Sequence, residues 1–274
     1  MSAHQLQYCH APFDAVAERY DESFTISKIG QAQRASVWKE LEKTFRPGDS
    51  VLELGCGTGV DACFLAQRGV TVFACDASPQ MIAVAQRRTH ELTGTNRAAV
   101  RLNLLRAEEI GSLQEQGPFD GAFSNFGALN CVADLRPLAI DLGTLLRPGA
   151  SAMLCLMGSC CAWEIAWYLA QGKPGKAFRR LHRSGVTARL TDQATVHVQY
   201  PSVRSLARTF FPEFRLKSVK GVGVSVPPSY VEPWVARFPR WFDFCQQTDS
   251  VLGRCPGIRV LADHILLSFE REEV

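Results

Sequence analysis

No stretch of this 274-residue chain is apolar for the ~20 residues that a bilayer crossing needs. The longest apolar runs, around Ala150 to Met157 and Ile258 to Leu267, stop far short, so no transmembrane helix is expected. Residues Met1 to His10 lack the basic start and apolar stretch of an export leader, and a cytoplasmic location is the expectation. There is no CxxC pair and no Cys/His set with zinc spacing among the ten cysteines, so no metal is expected and the thiols read as reduced, small core hydrophobes. The adjacent Cys160 and Cys161 fit neither a redox nor a metal spacing rule. No lysine stands between Lys43 and Lys173, which removes the Gly-Lys-Ser/Thr of a phosphate-binding loop and with it nucleotide triphosphate hydrolysis. Internal repeats and low-complexity segments are absent as well.

What is present is the composition of an ordinary soluble enzyme, 46% hydrophobic and 21% charged, in a length that buries a core without staples. From Ser50 to Ala150 short apolar runs alternate with longer amphipathic ones, the pattern of strands and helices around a buried parallel sheet. Strands are expected at Val51 to Leu54, Val70 to Cys75, Val100 to Leu105, Phe119 to Asn125 and Ala150 to Leu156. Helices are expected from Gly59 to Gln67, from Ser78 onward with a serine cap and a first-turn proline, and from Leu135 to Leu146, where Arg147-Pro148-Gly149 reads as a stop and turn. After Met157 the rhythm breaks. An aromatic helix with Trp163, Trp167 and Tyr168, a basic stretch, an alternating Thr195 to Tyr200 and a helix-like Ser202 to Phe210 lead to two late strands, 214–226 and 263–271.

The basic stretch, Lys173, Lys176, Arg179, Arg180 and Arg183, contains no acid. It reads either as a solvated helix face or as a face meeting an anionic substrate or a membrane surface.

Glu53-Leu54-Gly55-Cys56-Gly57-Thr58-Gly59 closes the first strand and opens the first helix, a position where glycine lets the backbone turn tightly and approach a ligand. A dinucleotide fingerprint needs glycine at position 60, and this chain has Val60. Asp76 stands at the end of the second strand, where a carboxylate can accept both hydroxyls of a ribose.

The E-x-G-x-G-x-G run resembles motif I of the class I S-adenosylmethionine-dependent methyltransferases. Asp76-Ala77-Ser78-Pro79-Gln80-Met81, Ser124-Asn125-Phe126-Gly127 and Leu146 to Ala150 resemble the same family's layout. Phe13 to Asp21 looks like the leader of its small-molecule branch, which includes quinone methyltransferases. The resemblance implies an α/β fold: a Rossmann-like seven-stranded sheet with helices on both faces and a lid inserted after the fifth strand. A cofactor-binding core is then expected over residues 1–157, with an N-terminal helical cap over 1–48. Lid segments and the last two strands would fill 158–274. It also implies S-adenosylmethionine as cofactor, leaving as S-adenosylhomocysteine. By position the cofactor contacts would be Tyr20 closing over it, Glu53, Gly55, Cys56, Gly57, Thr58, Gly59, Asp76, Ala77, Met81 near the adenine, Ser124 and Asn125. One departure stands out: where the family has Asp before Ala after the third strand, this chain reads Arg106-Ala107-Glu108. Arginine accepts no hydrogen bond. Either Glu108 or a main-chain carbonyl takes the adenine contact, with Ala107 and Glu108 placed there by position alone, or the cofactor is held less tightly.

Ser-Asn-Phe-Gly is not the Asn-Pro-Pro-Tyr of amino-methylating nucleic-acid and protein enzymes, and no Pro-Cys supplies an attacking thiolate. With a pI near 8.3 and one local basic cluster, nucleic acid is not the expected partner. The aromatic-rich second half suggests an apolar pocket, hence a small apolar or aromatic acceptor methylated at O, C or N. Base candidates are His197, Tyr200, Glu164 and His182, while His264 beside Asp263 reads as structural. An acidic acceptor needs no strong base. Two other readings stay open: a non-methylating member of the fold that keeps the cofactor structurally, and a non-enzymatic scaffold.

Overall fold

Residues 51–54 are buried toward both faces, as a strand covered by helices on each side must be, and they lie in the interior of the sheet. The computed structural model describes residues 11–182 and 184–273. Its main sheet is built from β1 (Ser50–Leu54), β2 (Thr71–Asp76), β3 (Val100–Leu104), β4 (Phe119–Ser124), β5 (Leu146–Met157), β8 (Phe214–Val222) and β9 (His264–Arg271). The spatial order is β3-β2-β1-β4-β5-β9-β8. β1 to β5 run parallel, and β9 runs antiparallel to both β5 and β8. The order reverses between β1 and β4, so a ligand crevice is expected at the carboxyl ends of those two strands.

One face is covered by α1 (Lys28–Thr44), α2 (Val60–Ala66) and α3 (Pro79–His90), which bury Val37, Leu41, Leu65 and Ile82 against Val51, Val72 and Phe123. The other carries α4 (Leu135–Leu145) and, beyond it, α6 (Val203–Thr209), with Leu138, Leu142, Leu206 and Phe210 packed on Leu52, Leu154 and Phe269. Between β5 and β8 come α5 (Ala162–Ala170) and a two-stranded hairpin of β6 (Val186–Arg189) with β7 (Thr195–Val198). Between β8 and β9 come α7 (Glu232–Arg237) and α8 (Pro239–Leu252). These insertions share a small core, in which Val226, Val231, Val235, Phe242 and Cys245 bury Ile29 of α1, with Trp167, Tyr230 and Trp241 at its edge.

The structure corrects three local expectations and completes another. β5 begins at Leu146 rather than Ala150, because Phe119 pairs with Leu146 before the register shifts and Gly121 pairs with Ser151. Arg147-Pro148-Gly149 occupies that shift, with Gly149 at φ 77°, so the turn lies inside the strand. The alternating segment around His197 is one strand of a hairpin, and its partner, Val186–Arg189, alternates in burial as well. The strand expected to reach Val226 ends at Val222, since the amides of Gly223, Ser225 and Val226 turn to the Asp249 carboxylate. Finally, the basic stretch is no single helix face. It is broken into short turns, and Arg179 and Arg180 point inward to Glu164. Arg183 and residues 1–10 of the expected cap lie outside the described residues. No described helix is long and apolar enough to cross a membrane.

Candidate cofactor and acceptor site

The turn after β1 holds three glycines in the left-handed region, Gly55, Gly57 and Gly59 at φ 68°, 53° and 76°. Two are needed for packing: a β-carbon on Gly55 would meet that of Ala128 at 2.3 Å, and one on Gly59 would meet that of Ala85 at 2.9 Å. Gly57 is different. Nothing lies within 4 Å of its missing β-carbon, so its backbone faces open space. The Gly57 amide donates to Asp76 Oδ2 at 2.8 Å, and the Ser78 amide to Asp76 Oδ1 at 2.9 Å. Burial raises the Asp76 pKa, and these amides pull against that. Ser78 caps α3 by accepting from the Met81 amide, as the sequence implies, and Met81 itself is buried. Cys56 is also buried, its thiol pushed well above the ordinary range by desolvation.

Beneath the turn lies a polar network whose α1 members sequence reasoning missed. Arg34 pairs with Asp61 at 2.6 Å, Trp38 Nε1 donates to the same carboxylate at 2.6 Å, and Asn125 Nδ2 donates to its other oxygen at 3.0 Å. Ser124 fastens β4 to β1 by donating to the Leu54 carbonyl at 2.8 Å. Glu53 is buried beside this network, and its Oε2 has no partner. Desolvation and the neighbouring Asp61 raise its pKa well above the ordinary 4.5. Asn125 Oδ1 and Arg34 Nε are likewise buried without partners.

The N-terminal segment clasps this cradle. Asp14 accepts from the Ser78 hydroxyl at 2.5 Å and the Gln80 amide at 3.2 Å. Asp21 accepts from Thr58 Oγ1 at 2.8 Å and pairs with Arg88, whose Nε donates to the Thr58 carbonyl at 2.9 Å. Tyr20 lies between these anchors, where burial raises its phenol pKa and Arg34 lowers it. At the ends of β2 and β3, the Leu105 amide donates to the Asp76 carbonyl at 3.0 Å, which sets Arg106, Ala107 and Glu108 just past those strands. Glu108 is exposed and lies 3.6 Å from Arg106.

Toward the lid the floor is aromatic. Phe126, strained at φ 47°, stacks edgewise on Phe24 (4.9 Å between centroids) and on His264 (5.5 Å), while the Arg34 guanidinium sits 4.8 Å from its ring. Next to His264, Asp263 accepts from Arg180 at 2.7 Å and from Gln33 at 3.2 Å; burial works to raise its carboxyl pKa, but the neighbouring His264 and then Arg180 hold it well below the usual range. Glu164 accepts four N–H donors from Arg179 and Arg180. Tyr200 lies 5.5 Å from the Arg180 guanidinium, so Glu164 and Tyr200 are brought together. His197 is not: it is exposed on β7 with Nε2 2.7 Å from the Ser184 carbonyl of the same hairpin. His182 is exposed too. Among the described residues no group of three His, Cys, Asp or Glu is placed to hold a metal.

Comparison with known proteins places this geometry. Residues 52–152, from β1 into β5, match a family model described as a methyltransferase domain. Over those residues the chain resembles methyltransferases. In fold the chain is similar to a solved protein from Listeria monocytogenes described as an S-adenosylmethionine-dependent methyltransferase, with a TM-score of 0.61 at 20% identity, over 89% of this chain and 100% of that one. In sequence it is 32% identical over 138 residues to a demethylmenaquinone methyltransferase of Beutenbergia cavernae, covering 49% of this chain and 50% of the relative. It is 25% identical over 196 residues to a 2-phytyl-1,4-naphthoquinone methyltransferase of Trichormus variabilis, covering 69% and 78%. The chain thus spans about half the length of the demethylmenaquinone methyltransferase it matches.

Proposed function

We propose that this protein transfers a methyl group from S-adenosylmethionine to a small apolar acceptor of the quinone or naphthoquinone class. The observation that carries the reading is the pairing of an open Gly57 backbone with two buried, unpartnered acceptors, Glu53 Oε2 and Asn125 Oδ1, at the carboxyl ends of β1 and β4. Unpaired buried acceptors are costly, and a ligand carrying an ammonium group would satisfy them. The residues present therefore fit the cofactor. Glu53, Asn125 and the Gly55 to Gly59 turn would hold its amino-acid end, Asp76 its ribose, and Ala77, Met81, Ala107 and Glu108 would flank its base, with Tyr20 above.

When bound, the cofactor supplies an electrophilic methyl group on a sulfonium. The chain's own contribution is positioning. The clasp of Asp14 and Asp21 on Ser78, Gln80, Thr58 and Arg88 fixes the N-terminal segment over the cradle and excludes water. Phe24, Phe126 and His264 offer a flat aromatic floor to a planar acceptor. Glu164, saturated by two guanidinium groups, anchors the lid, so of the residues that the sequence suggested as bases Tyr200 is the one we retain near the acceptor. The relatives' named substrates support the acceptor class. Incubation with S-adenosylmethionine and a reduced naphthoquinone lacking the ring methyl should yield S-adenosylhomocysteine and methylated product in equal amounts. Cofactor binding with no S-adenosylhomocysteine formed on any quinol would instead favour a non-methylating role.

A further inference from the structure

We infer that the outer face of the lid is a docking surface for an anionic lipid bilayer. The inference deepens the reading of the acceptor as an apolar quinone and takes its purpose from that reading, though the binding itself is measurable without cofactor or acceptor.

Apolar side chains that would normally be buried stand out from this face. Leu169, Phe178 and Leu181 of the first insertion are 46%, 42% and 58% exposed, and Trp234 and Phe238 of the second are 55% and 48% exposed. Ring contacts join the two insertions. The Lys176 ammonium lies 5.9 Å from the Tyr168 ring, and from there a run of ring contacts passes through Tyr230 (5.8 Å), Trp167 (5.8 Å) and Trp234 (6.1 Å) to Phe238 (6.4 Å), where Arg237 sits 5.8 Å from the ring. Lys173 and Arg240 flank the two ends and are exposed. No carboxylate of the described residues pairs with Lys173, Lys176, Arg237 or Arg240. Of the acids nearby, Glu164 is consumed by Arg179 and Arg180, and Glu232 accepts the first amides of α1. Asp243 on α8 is the exposed acid that remains.

Exposed tryptophan, phenylalanine and leucine ringed by unpaired lysine and arginine are what a headgroup layer receives: the apolar tips enter the acyl boundary and the cations meet lipid phosphates. A protein partner would also bury the apolar tips, but the unbalanced positive rim selects an anionic surface. Arg180 of the first insertion ties Glu164 to Asp263, next to the His264 of the aromatic floor, so docking would bring that floor close to the phase in which a quinone with a long apolar chain dissolves.

The test is cosedimentation of the whole chain with vesicles of phosphatidylcholine alone and of equal parts phosphatidylcholine and phosphatidylglycerol, at low and high salt, alongside the exposed-site variants Lys173→Glu/Lys176→Glu and Trp234→Ser/Phe238→Ser. The parent should sediment with the anionic vesicles and be released by salt. The charge-reversed pair should lose about tenfold or more in apparent affinity. The Trp234→Ser/Phe238→Ser pair should weaken binding and lose the blue shift of tryptophan emission that vesicles produce in the parent. A parent that stays in the supernatant, or variants that sediment like it, would overturn the proposal. Self-association of the parent abolished by Trp234→Ser/Phe238→Ser, without vesicle binding, would also overturn it by assigning the face to a second copy. Calorimetric titration of the same samples with S-adenosylhomocysteine keeps the two readings apart: binding there without vesicle binding sinks docking alone, and vesicle binding without cofactor binding sinks the methyltransferase reading alone.

Discussion

Burial of Glu53 at the end of β1, with one oxygen left unpartnered, makes its ionisation the group most dependent on what occupies the cradle. Its folded pKa is raised above the ordinary 4.5, so its contribution to stability is complete below that pH and is lost as pH rises toward the folded value. Glu53→Gln should therefore stabilise the ligand-free protein above pH 4.5, which denaturant titrations on either side of that pH would reveal, while weakening cofactor binding. Heats of cofactor binding in buffers of different ionisation enthalpy should show proton release in the parent and not in the variant. The glycines separate packing from binding. Alanine at either Gly55 or Gly57 costs about 1–2 kcal/mol for its left-handed backbone. At Gly55 the clash with Ala128 adds about 1–3 kcal/mol. Gly57→Ala should accordingly melt close to the parent yet bind cofactor poorly, and Gly55→Ala should be the less stable of the two. Asp76→Ala removes charged hydrogen bonds of about 1.5–3 kcal/mol each, so a cofactor affinity equal to the parent's would contradict its place at the ribose. At this scale the sequence was most informative where chemistry needs one residue type, as in the glycines, Asp76 and Ser78. It was silent on Arg34, Trp38 and Asp61, because their roles come from contacts between elements far apart in the chain.

Among the elements, the lid depends on one buried ion cluster. Arg180 joins Glu164 at the start of α5 to Asp263 at the start of β9, and Gln33 brings in α1. Arg180→Met leaves buried carboxylate charge uncompensated and should cost about 3–5 kcal/mol, read as a shift in the denaturation midpoint. The Asp263 pKa is held below its ordinary 3.8, so the stability it contributes is present above that pH and lost as pH falls below it. Acid denaturation of Arg180→Met should depend less steeply on pH in that range than that of the parent. Element by element, the alternation of apolar runs located β1 to β4, and α2 to α4, to within a residue or two, because each buries a continuous apolar surface. The pairing of β6 with β7 escaped because each strand is only 4 residues long and half exposed, which leaves a weak pattern. The basic stretch was misread because charge spacing alone does not reveal that two of its guanidinium groups meet a buried glutamate.

For the molecule as a whole, the reversal of strand order between β1 and β4 explains why motifs scattered over residues 14 to 125 converge on one crevice. The lid is made of two insertions separated by β8, and their joint core around Val235 and Phe242 could not be read from either insertion alone. The central claim is that the crevice at Gly57 receives S-adenosylmethionine. Its most direct test is calorimetric titration of the protein with S-adenosylmethionine and S-adenosylhomocysteine, repeated with Gly57→Arg after a melting curve has shown that the variant is folded. The account requires binding by the parent and none by the variant, whose side chain would fill the open space at the turn. A parent that binds neither ligand, or a folded Gly57→Arg that binds both as the parent does, would contradict it.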